Sequence, residues 1–231
     1  MGKTQKGGVG CGCLLLVLVV CMVLAAAFLH PFSLRFMVNR LQYGDKIMPC
    51  DVIFVPRFVE DRDGEVYSEA FREYWAGNGK SIWIENDHVF DLAMKDIVGR
   101  MAKERGIKEE AVKALELEGD DLAKAAQVRS ALAKHGVRKA ILVVPDYASR
   151  RFRTIYASEE PSSRDSVLFL VKPVSMSYFK GDKWWRSDVS RSIMFREFYR
   201  FCALLFNRFT YGDKGERGTK GRGNETKTTI L

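Results

Sequence analysis

The sequence predicts a mainly parallel α/β domain, covered by helices on both faces and preceded by one transmembrane helix. Three observations carry this expectation. Short apolar runs alternate with helically spaced segments between residues 51 and 171. Those runs are nearly continuous, as in strands buried on both faces, and a strand-helix-strand repeat favours parallel pairing. Ahead of them, residues 11–29 read CGCLLLVLVVCMVLAAAFL without a charged side chain.

The apolar segment comes first. No Asp, Glu, Lys or Arg occurs from Gly7 to Leu34, and the 19-residue core lacks the polar face of a helix in a soluble protein. At ~1.5 Å rise per residue a span needs about 20 such residues, so this one is just sufficient. A cleaved signal peptide is the rival, with Lys3 and Lys6 before the core and Ala25, Ala26 and Ala27 as its small-residue site. Signal cores run about 7–15 residues, so length favours an uncleaved anchor. Lys3 and Lys6 lie on one side and Arg35, Arg40 and Lys46 on the other, so flanking charge does not choose the orientation.

The organisation that follows is a basic N-terminus (1–10), a transmembrane helix (11–30), a linker (31–49), an α/β domain (50–211) and a disordered tail (212–231). In the domain, DVIFV (51–55) reads as a first strand, 67–76 as a helix, SIWI (81–84) as a second strand and 90–105 as a helix. A helical turn at 109–112 and a third strand at 114–117 come next. Asp120 or Asp121 then caps a helix ending at Lys134, before Gly136. AILVV (140–144) is the clearest strand. An arginine-rich helix (148–157), a strand (167–171) and an amphipathic helix (190–209) complete the domain. In that last helix Phe195, Phe198, Phe201 and Phe206 oppose Arg196, Arg200 and Arg208, an apolar face suited to packing on its own domain. The tail repeats glycine at 212, 215, 218 and 221, too briefly and without the proline a triple helix needs. Asn224-Glu225-Thr226 is a glycosylation sequon, meaningful only in a eukaryotic secretory pathway.

The net charge is +8 over 231 residues, of which +4 lies in residues 1–50 and +2 in 212–231. Basicity gathered at the ends fits anionic lipid headgroups better than DNA, so membrane lipids are expected as partners and nucleic acid is not. Of five cysteines, Cys11, Cys13 and Cys21 belong to the apolar segment. Only Cys50 and Cys202 remain for the domain, and pairing between them stays open. No Cys or His spacing suggests a metal. Neither GxGxxG nor GxxxxGK[ST] follows the first strand, and Pro56-Arg57-Phe58 stands where backbone would approach a pyrophosphate. This excludes the ordinary dinucleotide mode and leaves the cofactor unknown.

Ligands of open parallel sheets bind beyond the carboxyl ends of the strands. The residues there are Arg57, then Glu85 and Asp87 with His88, then Glu118, Asp120 and Asp121, then Asp146 with Arg150 and Arg151. Every carboxylate but Glu118 has a second reading as a helix cap: Asp120 and Asp121 for one helix, Glu85 or Asp87 for that near Phe90, Asp146 for the arginine-rich one. Arg150, Arg151 and Arg153 open a helix where cations oppose the macrodipole, which a bound anion or nearby carboxylates would relieve.

The order of these segments resembles the bacterial SanA/ElyC/YdcF-like envelope family, a domain of unknown biochemical function, over about residues 50–206. Asp51–Val55 and Ser81–Ile84 are similar to its first two strands, and LEGDDLAKAA (117–126) to its third motif. The most specific stretch is ILVVPDYASRR (141–151), and Glu197 resembles the glutamate of its last helix. Glu118 and Arg151 are retained. Pro56-Arg57-Phe58 and Glu85-Asn86 replace glycines, Asp121-Leu122 replaces Asn-Thr, and Ala148 replaces a histidine. The resemblance implies a three-layer Rossmann-like fold, a role in cell-envelope biogenesis, and exposure on the outer side of the cytoplasmic membrane.

Three functions compete. One is a membrane-anchored domain that binds an anionic small molecule or lipid-linked phosphate through Arg57, Arg150 and Arg151. Another is a non-catalytic tethered interaction module. The third is a hydrolase or transferase using Asp87, Asp120 or Asp146 as general base.

Overall fold

The structure is a computed structural model that describes residues 9–89, 92–156 and 166–219, and side chains outside 9–12, 25, 28–29, 88–89 and 207–219. In chain order its elements are α1 (Val9–Leu29), α2 (Pro31–Leu41), β1 (Val52–Val55), α3 (Glu65–Trp75), β2 (Ser81–Asn86), β3 (His88–Val89), β4 (Leu92–Ala93), α4 (Met94–Glu104), β5 (Val112–Glu116), α5 (Asp121–Lys134), β6 (Lys139–Pro145), α6 (Ser149–Tyr156), β7 (Leu168–Val174) and α7 (Asp188–Thr219).

Five strands form one parallel sheet in the order β5-β2-β1-β6-β7. The chain runs outward from β1 through β2 to β5, and α5 carries it back to β6 on the other side of β1. This is the Rossmann-like arrangement, and its switch point lies between β1 and β6. In register, Phe54 of β1 faces Trp83 on β2 and Leu142 on β6. All four β1 residues are buried, as are Ile82, Ile84, Ile141 and Leu142, so the central strands are apolar on both faces because helices cover both.

Several boundaries differ from the sequence expectation. The helix expected from Phe90 begins at Met94, because β3 and β4 pair as an antiparallel hairpin first. Its first turn is capped by Asn86, whose Oδ1 accepts from the Lys95 amide at 3.1 Å, rather than by Glu85 or Asp87. Phe90 itself and the side chain of His88 lie outside the described residues. The third strand starts two residues early, and a 3-10 turn (Glu109–Ala111) replaces the expected helical turn. Asp120 caps α5 as expected, accepting from the Ala123 amide at 2.8 Å. α7 continues to Thr219, past the expected end at 209, and takes in the first part of the expected tail. The rest of that tail, with the sequon, lies outside the described residues, as do Lys3, Lys6 and Ala157.

The expected linker is part of the fold. α2 buries Val38 and Leu41 in the core, and Trp184 Nε1 donates to the Leu34 carbonyl at 2.9 Å. The strap after it crosses α6 and ends on β7, where Asp45 and Val171 exchange two hydrogen bonds of 2.9 Å. That contact covers part of an otherwise open sheet edge.

The transmembrane expectation is not supported. The segment is helical as α1, but among the described residues no helix is long and apolar enough to cross a membrane. Within residues 13–24 the large apolar side chains are exposed, Leu14 by 70% and Leu24 by 54%.

Candidate functional site

A cleft of about 240 Å³ opens at the carboxyl ends of β1, β2 and β5, where this fold places ligands. The turn after β1 contributes Pro56 and Arg57 to its wall, and the end of β2 contributes Glu85 and Asn86, followed by Asp87. The first turn of α5 adds Asp121 and Lys124, which share a face at i and i+3. Leu117 and the almost fully buried α6 rings of Phe152 and Tyr156 are its apolar lining, with Val59. Those two rings stack at 6.1 Å between centroids and 17° between planes.

Arg57 is the central group. Its side chain is 13% exposed, and its amide donates to Glu85 Oε2 at 2.9 Å. Nη1 lies 3.5 Å from Asp87 Oδ2, an ion-pair distance, yet Nε and Nη1 are buried without a hydrogen-bond acceptor. The buried Tyr67 hydroxyl, in the field of Arg57, is likewise unpartnered. Burial drives its pKa above the usual phenol range. Buried donors without acceptors are uncommon, because each forfeits its hydration.

Glu85, only 7% exposed, is held between the Arg57 amide and Lys124 Nζ, the latter at 2.7 Å. This hydrogen bond, chiefly, raises the Lys124 pKa despite partial burial. Asp121 Oδ2 pairs with Arg151 Nη1 at the rear of the cleft. Of the expected binding residues, Arg57, Glu85, Asp87 and Asp121 therefore converge.

The others do not. Asp120 is used as the α5 cap, and Glu118 is exposed and outside the cleft, its backbone bonded on both sides to the Gln127 amide. Arg150 turns away onto the strap: Nη2 donates to the Gln42 carbonyl at 3.3 Å and the guanidinium lies 5.5 Å from the Tyr43 ring centroid. Arg151 is 4% exposed and bonds Glu197 of α7 through Nε (2.8 Å) and Nη2 (3.3 Å). Adjacent positions on a helix point about 100° apart, so the two arginines meet different neighbours. Asp146 caps no helix and lines a second cavity of about 420 Å³ beneath α2. Its Oδ2 accepts from Gln42 at 3.1 Å, and burial pushes its pKa up to about 6.

Sequence reading missed Lys124 and the rings of Phe152 and Tyr156. Lys124 was findable, since it lies one turn after a carboxylate already assigned to the crevice. Cys50 is buried and Cys202 exposed, and both are free thiols. Among the described residues no group of three or more His, Cys, Asp and Glu side chains is placed to hold a metal.

Fold and site together define an α/β protein with a Rossmann-like parallel sheet and a small polar cleft beside its switch point. No protein-family model matches the chain, and no curated protein does. It is similar to a solved structure of RSP in complex with beta-NAD+ and operator DNA, at 10% identity and a TM-score of 0.24. The match covers 77% of this chain and 64% of that one, so the chain spans less than two thirds of that protein's length. At that score the likeness carries no argument about what this chain binds. The expected partners are nevertheless corrected. Among the described residues no helix is long and apolar enough to cross a membrane, so the structure lends the expected membrane lipids no support.

Proposed function

We propose that the cleft binds an anionic small molecule, with Arg57 as its principal ligand and Lys124 beside it. The observation that carries this reading is the pair of buried Arg57 nitrogens without an acceptor. An anion would supply that acceptor, and charge-assisted hydrogen bonds from a guanidinium are among the strong ones. The role moves from Arg150 and Arg151, which do not line the cleft, to Arg57, which does. Within the same reading, α1 serves as an anchor at the cytoplasmic membrane with the domain on the outer side, in cell-envelope biogenesis. Its uncharged sequence, its exposed leucines and the SanA/ElyC/YdcF-like resemblance support that part.

The test is thermal unfolding of the full chain, purified in detergent, with and without inorganic phosphate. A ligand at 100 times its Kd stabilises by about 2.7 kcal/mol. For a domain of this size that raises Tm by roughly 5–10 °C. The rise should vanish in Arg57→Met and persist in Arg150→Met. Absence of any rise, or a rise that Arg57→Met retains, overturns the reading and favours the non-catalytic interaction module, for which the consumption of Arg151 by Glu197 already speaks.

A further inference from the structure

α7 carries apolar side chains on two nearly opposite sides, and the domain uses one of them. Toward the core it buries Ile193 and Met194, with Phe201 and Leu204 half-buried against the same cluster. On the other side Phe195 is 60% exposed, Tyr199 74% and Phe206 69%, with Phe198 at 41% beside them. The free thiol of Cys202 is exposed among them. At about 100° per residue, positions 195, 199, 202 and 206 fall in one row along the helix. Of the aromatic face expected to pack on its own domain, Phe201 does so, whereas this row stays out. Phe195 sets one edge against Trp184, at 5.7 Å between centroids, and keeps most of its ring outside. Single exposed apolar side chains are ordinary on a protein surface, but a contiguous row of rings marks a place of contact.

Three observations select the occupant. First, Arg196 pairs with Glu60, Arg200 with Glu197 and Arg191 with Asp188. The charge of these arginines is met within the chain, so what the row offers is neutral and apolar rather than a lure for an acidic partner. Second, the spacing i, i+4, i+7, i+11 is that of a coiled-coil seam, whose knobs fit between those of an identical row. A twofold pair uses the same patch on both copies. Because the row points away from the core, the two domains would stand on the outer sides of the helix pair. Third, the area suffices. An aromatic side chain carries about 150–250 Å², so at these exposures the four rings offer on the order of 500 Å² per copy. Twice that meets the roughly 1,000 Å² at which a specific interface begins. We infer that α7 pairs with α7 of a second copy of this chain, through the row from Phe195 to Phe206, with Cys202 near the middle of the seam. Pairing of this kind does not depend on what the cleft binds.

The experiment is sedimentation of the full chain over a wide range of concentration, with detergent micelles in excess so that α1 alone does not bring two copies together. The chain should pass from monomer to dimer as concentration rises. Tyr199→Glu, at an exposed ring, should weaken the dimer about ten-fold or more, because a charge would be buried in the seam. Trp75→Glu, at an exposed ring on α3, should leave it unchanged. A chain carrying Cys11→Ser, Cys13→Ser, Cys21→Ser and Cys50→Ala should be joined through Cys202 by a short bismaleimide, since a mid-row residue meets its counterpart whichever way the helices run. A monomer at every concentration overturns the inference, whatever else then covers the face. So does a dimer as tight in Tyr199→Glu as in the wild type, which would place the contact on another surface, or a dimer that Cys202 does not join. The wild-type and Tyr199→Glu pair decides even where the multiple cysteine variant does not fold.

Discussion

Replacing Glu197 by alanine should be among the most damaging single changes in the domain, although Glu197 lies outside the cleft. Its side chain is 3% exposed, and its carboxylate receives Nε and Nη2 of Arg151, itself 4% exposed, with Arg200 Nη1 at 3.2 Å from the same group. Removing one partner of a buried pair costs about 3–5 kcal/mol, because the remaining charge stays buried. Asp121 still holds Nη1 of Arg151 from the half-exposed side, which puts the expectation near the lower end, about 3 kcal/mol. At roughly 2–4 °C per kcal/mol for a chain of this length, Tm should fall by about 6–12 °C. The assay is urea unfolding of the full chain in detergent, followed by circular dichroism. Arg151→Met combined with Glu197→Leu should recover most of the loss, since a well-packed apolar pair removes the stranded charge. A cost below about 1 kcal/mol for Glu197→Ala, or a double variant as costly as the sum of its parts, would refute the buried pair as the strut between α6 and α7.

Three further outcomes follow from local surroundings. The raised pKa of Asp146 means that the native state holds a proton between about pH 4 and pH 6 that the unfolded chain has lost, so stability should fall as pH rises through that window. Asp146→Asn should flatten this dependence and be the more stable form at pH 7, by on the order of 2 kcal/mol; chemical unfolding at pH 4.5 and 7 checks it, and a wild-type curve that is level there would contradict the buried, protonated carboxyl. Gly79→Ala would place a Cβ 2.5 Å from Ile53 Cγ1 in the sheet centre and should cost about 1–3 kcal/mol. Gly99→Ala in α4, with no atom within 4 Å of the new Cβ, should stabilise by about 0.5–1 kcal/mol, and thermal melts of the pair test whether the difference has the expected sign.

The central strands were legible because burial on both faces writes itself as an unbroken apolar run, as in β1 and β6. β5 was harder to bound, since an edge strand is open on one side and its sequence VKALE mixes exposed and half-buried positions. α2 was hidden as a linker because only Val38 and Leu41 of its eleven residues are buried. At the site, sequence located the carboxyl ends of the strands but not the azimuth of each side chain. Nothing local tells Arg150, which reaches back to Gln42, from Arg151, which reaches on to Glu197. Both partners are distant in the chain, and only the fold brings them near. The orphaned nitrogens of Arg57 are equally invisible to sequence, being defined by the acceptors that packing withholds.

The strap that ends on β7 has a mechanical consequence. Because Gln42, Tyr43 and Asp45 are bonded in succession to Asp146, Ser149 and Val171, a pull along the N-terminal helices would not stretch a slack tether. It would load the Asp45–Val171 contact in shear along the sheet edge, together with the turn that carries Asp146. Displacement of α1 and α2 would then be felt at the carboxyl end of β6 before the sheet itself began to yield, so the N-terminal segment acts as a lever rather than a leash.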